Sequence, residues 1–90
     1  MTAHHVFYEG RVQGVGFRYT VYQIVSGFDI TGWIRNLPDG RVELLAAGEP
    51  DELEAFLQAI RESSLAGFIR NEELNKVPAP EKLRGFEIVG

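Results

Sequence analysis

The sequence predicts an α+β sandwich of order β-α-β-β-α-β plus a short terminal strand, with two helices on one face of an antiparallel sheet. Three observations predict it. Apolar residues alternate in short runs near the start, middle and end of the chain. They recur at helical spacing in two segments between those runs, and the turn Leu37-Pro38-Asp39-Gly40 separates two of the alternating runs. At 90 residues the chain closes a single core, so residues 1–90 are expected to form one domain whose site is a surface concavity.

His4 to Val12 reads as the first strand, with Val6, Tyr8, Gly10 and Val12 on the inward face and His5, Phe7, Glu9 and Arg11 on the other. His4 and His5 are expected in a mobile or edge segment without a role. Phe17, Val21, Ile24, Val25 and Phe28 then mark a helix over 18–28. Ile30, Gly32 and Ile34 alternate with Thr31, Trp33 and Arg35 as a second strand, which places Asn36 at a core-parity position. Proline and glycine in Leu37 to Gly40 suit a turn, and Val42, Leu44 and Ala46 share one face of a third strand, closing a hairpin. Glu49-Pro50-Asp51-Glu52 opens the second helix, since proline is tolerated at the first helical position and acids suit its dipole. Leu53, Phe56, Leu57 and Ile60 are its buried stripe, and the acidic opposite side is a solvated surface. A fourth strand runs from Phe68 to Val77. Residues 70–76 alternate poorly, so an edge strand and an irregular loop both fit. After the Pro78-Ala79-Pro80 break a fifth strand points Phe86 and Ile88 inward. Right-handed crossovers make the whole a ferredoxin-like sandwich.

Composition narrows the function. The net charge of -4 disfavours nucleic acid as a partner, because such binding needs a basic face. The charge is uneven: Arg11, Arg18, Arg35 and Arg41 face only Glu9, Asp29 and Asp39 in the first 41 residues, and the acids concentrate beyond them. A small anion therefore suits the N-terminal half better than a polyanion. With no cysteine there is no thiol nucleophile or thiolate metal site, and two adjacent histidines offer little to zinc. No apolar run is long enough to span a membrane, and no cleavable signal pattern is present, so a cytoplasmic protein is expected, and separately a monomer.

The stretch Gly10-Arg11-Val12-Gln13-Gly14-Val15-Gly16-Phe17-Arg18 runs from a strand through three glycines into a helix start. Such a loop lets backbone N–H groups approach an anion, and on spacing alone it is equally a plain strand-to-helix corner. Arg18 in the first helical turn works against the dipole, which suggests a charge kept for a ligand. Asn36 stands either at the site or as a cap on the hairpin turn. Trp33, Arg35 and Tyr22 are either packing residues or the lining of the mouth, and Arg11 and Arg41 face solvent.

These residues carry a resemblance. Gly10 to Arg18 resembles the first signature of the acylphosphatase family, and Gly32-Trp33-Ile34-Arg35-Asn36-Leu37-Pro38-Asp39-Gly40-Arg41-Val42 with Gly48 resembles the second. The resemblance implies hydrolysis of the carboxyl–phosphate anhydride of a small-molecule acyl phosphate to a carboxylate and inorganic phosphate, without metal or organic cofactor. It puts Arg18 at the phosphate-binding arginine and Asn36 at the water-orienting asparagine. The loop Gln13, Gly14, Val15, Gly16 and Phe17 corresponds to the phosphate cradle. Asp29 stands where the family commonly has glycine, Ile34 where it usually has a smaller residue, and residues 66–77 match its fourth strand loosely. The rival reading is a non-catalytic anion-binding or regulatory module of the same family.

Overall fold

In the computed structural model, which describes residues 2–90, strand β1 (Thr2–Gly10) lies inside the sheet and carries the first predicted face inward. Helix α1 (Phe17–Val25), strands β2 (Thr31–Asn36) and β3 (Val42–Gly48), helix α2 (Pro50–Arg61), strand β4 (Ile69–Pro78) and strand β5 (Phe86–Ile88) follow. They form one five-stranded sheet of order β4-β1-β3-β2-β5. Val6 and Tyr8 of β1, Ile34 of β2 and Leu44 and Ala46 of β3 meet Val21 and Val25 of α1 and Leu53, Phe56, Leu57 and Ile60 of α2. Both helices thus cover one face, as the periodicities require. Fully burying each large side chain in this layer contributes about 1.5–3 kcal/mol.

Several boundaries differ from expectation for local reasons. β1 stops at Gly10 rather than Val12, because the pairing with β4 shifts register between Glu9 and Gly10 and the N–H of Arg11 then donates to the Phe68 carbonyl. α1 ends at Val25 rather than residue 28. There the N–H groups of Ser26, Gly27 and Phe28 bond to carbonyls three residues back, and the Ser26 hydroxyl donates to the Gln23 carbonyl, so the last turn tightens and closes. Between the two alternatives for residues 70–76, the edge strand holds: Thr2 to Glu9 of β1 pair with Pro78 to Asn71 of β4.

β5 runs parallel to β2, so the sheet is mixed rather than wholly antiparallel. The segment after β4 crosses the open face of the sheet, where Ala79 and Leu83 pack with Ala3, Leu45, Ala47 and Trp33, and enters at the opposite edge. Having crossed, it runs antiparallel to β4 and therefore parallel to β2. Phe86 packs against the core as expected, whereas Ile88 is 41% exposed.

The histidines are also placed otherwise than expected, because β1 is a central strand. His4 is buried on the helix side, and burial followed by the charge of Lys76 holds its pKa below the ordinary value. His5 lies on the open face with Nε2 2.6 Å from Glu43 Oε2, while Arg35 Nε donates to Glu43 Oε1 at 2.6 Å. Burial opposes the charge on Glu43, but these hydrogen bonds outweigh it and lower its pKa. Asp29 and Ile34, two of the three departures from the family pattern, fit without backbone strain. Positive φ is confined to glycines among the described residues, so Asp29 needs no special backbone, and Ile34 is fully buried in the core.

Candidate active site

Three elements converge at the C-terminal end of β2. The loop after β1 leads into α1, β2 ends at Asn36, and β5 brings Ile88 alongside, seated by the bond from the Val89 N–H to the Ile34 carbonyl at 2.9 Å. Between them lies a cavity of about 170 Å³ lined by Val12, Gly14, Gly16, Phe17, Arg18, Tyr19, Asn36 and Ile88. Of the residues singled out from the sequence, Gly14, Gly16, Phe17, Arg18 and Asn36 meet there.

The loop is shaped by two left-handed glycines, Gly14 at φ 78° and Gly16 at φ 75°. A Cβ at either position would meet no atom within 4 Å, so the glycines are required by backbone conformation and leave the space beside the backbone open. Gly16 is the N-cap of α1 and offers no capping side chain. The first bond within the helix runs from the Thr20 N–H to the Gly16 carbonyl. The N–H groups of Phe17, Arg18 and Tyr19 therefore have no acceptor inside the helix, and no acidic residue stands in the first turn. α2 shows the opposite pattern, with Asp51 and Glu52 in its first turn. The positive end of α1 is left for something outside the protein.

Arg18 is half-buried, and the ion pairs of the described residues involve His5, Arg35, Arg41 and Arg61 but not Arg18. A planar guanidinium free of carboxylates presents parallel donors to an oxyanion. Asn36 does not cap the hairpin turn. That turn is closed by bonds from the Leu37 N–H to the Arg41 carbonyl and from the Gly40 N–H to the Leu37 carbonyl, and Asp39 Oδ1 accepts the Arg41 N–H at 3.0 Å. That backbone bond and a second from Arg41 Nε hold the Asp39 carboxyl below its usual pKa. Asn36 Oδ1 is meanwhile buried with no hydrogen-bond partner, an uncommon state for a polar atom.

Two cradle residues do other work with their side chains. Gln13 Nε2 donates to the carbonyls of Leu37 at 2.8 Å and Arg41 at 2.9 Å, tying the loop to the neck of the hairpin that carries Asn36. Val15 packs against the core. Trp33, Arg35 and Tyr22 do not line the cavity. Trp33 and Arg35 lie on the open face, with the Arg35 guanidinium 5.3 Å from the Trp33 ring, and Tyr22 packs beside Phe86. Arg11 is exposed as expected, whereas Arg41 is half-buried, bound to Asp39 and stacked 4.6 Å over Phe7. Val12, Tyr19 and Ile88 complete the lining without being marked as site residues by the sequence. Tyr19 was within reach as the neighbour of Arg18, but Ile88 depends on a pairing between segments far apart in the chain.

Free backbone donors and one uncommitted cation define an anion-binding sandwich of the ferredoxin-like class. A family model described as acylphosphatase matches residues 4–88. A protein named acylphosphatase from Trichormus variabilis is 44% identical over 84 residues, covering 93% of this chain and 82% of its own. One from Thermococcus kodakarensis is 38% identical over 86 residues, covering 96% and 93%. The crystal structure of the acylphosphatase from Bacillus subtilis superposes with a TM-score of 0.90 at 34% identity, with both chains covered in full. The chain belongs to the acylphosphatase family and is a hydrolase of acyl phosphates.

Proposed function

We propose that Arg18 and the loop from Gln13 to Phe17 hold the phosphoryl group while Asn36 aims the attacking water. The observation that carries this reading is that Arg18, Gly14, Gly16 and Asn36 line one cavity, and that Asn36 Oδ1 is committed to no hydrogen bond within the protein. Phosphoryl transfer spreads negative charge over the equatorial oxygens. The guanidinium meets two of them and the free N–H groups at the start of α1 meet the rest. A water held by Asn36 forms a bond to phosphorus as the bond to the acyl oxygen breaks, and the carboxylate departs with its electron pair. Asparagine orients but takes no proton. The lining contains no histidine or carboxylate, so in this proposal a phosphoryl oxygen accepts the water proton and inorganic phosphate is released.

An acyl phosphate is activated by its carboxylate leaving group, so positioning and charge neutralisation suffice as the main contributions. In the same proposal the chain works as one domain and a monomer in the cytoplasm. Elution at the volume of a single 10.1 kDa chain is the check on oligomeric state. Benzoyl phosphate hydrolysis by the wild type, Arg18→Gln and Asn36→Ala tests the roles, with folding verified for each. Loss of a preorganised contact lowers kcat by about 10²–10³-fold. Asn36→Ala is expected to retain inhibition by inorganic phosphate, and Arg18→Gln to lose it. Wild-type turnover in either variant refutes the assignment.

A further inference from the structure

The large hydrophobic side chains most exposed among the described residues are Tyr19 at 61%, Tyr22 at 45% and Ile88 at 41%. All three stand on α1 and β5, at the edge of the sheet where the cavity opens, and Tyr19 and Ile88 line it. On a domain that buries its other large apolar side chains more thoroughly, such clustering at the rim of a site needs a cause. The charge distribution supplies a second constraint. Arg18 is the one charged side chain in the lining. Arg35 is held by Glu43 and Arg41 by Asp39, so neither is free to meet a second anionic group on a substrate.

We infer that Tyr19 and Ile88 form an acyl subsite that selects acyl phosphates with an uncharged aromatic or branched aliphatic acyl group. The inference rests on the reading that Arg18 and the loop hold the phosphoryl group. With the phosphate at the start of α1, the carboxyl carbon and its substituent point outward past the next residue of the helix and the edge of β5. An apolar acyl group covers the exposed Tyr19 ring and Ile88 side chain, and water leaves both surfaces. An acetyl group is too short to cover them. An acyl group with a distal carboxylate would lose hydration without gaining a cation in return.

Such contacts hold the substrate and the transition state alike, so the selectivity resides mainly in KM. The test is kcat/KM for benzoyl phosphate, acetyl phosphate and the monoacyl phosphate of succinic acid. It is measured on the wild type, Tyr19→Ala, Ile88→Ala and Tyr22→Ala. Tyr22 is an exposed tyrosine of the same helix outside the cavity lining and serves as the control. The wild type is expected to prefer benzoyl over acetyl phosphate by about 10-fold or more, the scale set by small apolar contacts. That ratio should fall severalfold in Tyr19→Ala and in Ile88→Ala and hold in Tyr22→Ala, with the succinyl substrate poorer than the benzoyl throughout. A ratio unchanged by both rim substitutions, or a wild-type preference for the carboxylate-bearing substrate, overturns the subsite and leaves the phosphate-binding reading standing. Failure of the wild type to hydrolyse any of the three removes both.

Discussion

Replacing Gln13 by methionine keeps the length and apolar stem of the side chain and removes both N–H donors that reach the hairpin. The carbonyls it serves are not orphaned: the Leu37 carbonyl still accepts the Gly40 N–H at 3.1 Å, and the Arg41 carbonyl still accepts the Leu37 N–H at 2.8 Å. The loss is therefore two side chain to backbone bonds without an added desolvation penalty, about 2 kcal/mol together. For a domain of this size that lowers Tm by about 10 °C. The larger effect falls on the reaction. Without the clamp, the loop carrying the phosphate and the hairpin carrying Asn36 shift relative to one another, and a misplacement of about 1 Å lowers the rate by about 10²-fold. We expect kcat for benzoyl phosphate to fall between about 10-fold and 100-fold. Inhibition by inorganic phosphate should change less than about threefold, because Arg18 and the helix N-terminus are not held by Gln13. The decisive assay is the double-mutant cycle with Asn36→Ala. If Gln13 acts through Asn36, Gln13→Met lowers kcat no further once Asn36 is gone. An equal fall in both backgrounds, or an unchanged kcat in a destabilised single variant, refutes the coupling.

Two other residues give predictions of opposite sign. Glu43 has a folded-state pKa below its ordinary value of 4.5, so its contribution to stability is present above that value and is lost as pH falls through the lower folded value. Glu43→Gln should flatten this acid-side loss, read as urea midpoints at neutral pH and at successive steps below pH 4.5; an acid limb as steep as the wild type's would contradict it. The Tyr8 hydroxyl is buried without a partner and its pKa is driven upward, by burial first. Tyr8→Phe removes an unsatisfied polar atom and should leave the denaturation midpoint unchanged or raised, and a loss above about 1 kcal/mol would show that the hydroxyl is satisfied.

What the sequence made legible is what local patterning encodes. Val6 and Tyr8 alternating with His5 and Phe7 set the inward face of β1, and Leu53, Phe56, Leu57 and Ile60 set the buried stripe of α2. Gly14, Gly16 and Arg18 lie within a few residues of one another, so the anion-facing loop could be read as a unit. Long-range features could not. His5 is a half-buried partner of Glu43 because β1 is flanked by β3 and β4, and nothing in residues 1–10 announces those neighbours. Arg35 and Trp33 alternate correctly on β2, but which face opens onto the cavity depends on where β5 docks. Gln13 resembled a cradle residue by position, and its side chain turned out to serve a hairpin more than twenty residues away. The direction of β5 followed from a crossover over the sheet, which no periodicity reports.

The seating of β5 beside β2 also bears on how the molecule comes together in time. Gly32 pairs with Phe86, Ile34 with Ile88, and Thr2 with Pro78, so two of the four strand pairings join segments more than fifty residues apart. Pairings of this kind make folding slow for a domain of this size, because distant segments must meet before they reward one another. The cavity inherits that dependence, since its lining runs from Val12 to Ile88 and is complete only when the final strand is in place. An anion that recognises the full lining meets it only in the finished fold, where it lengthens the lifetime of the native state without hastening its formation.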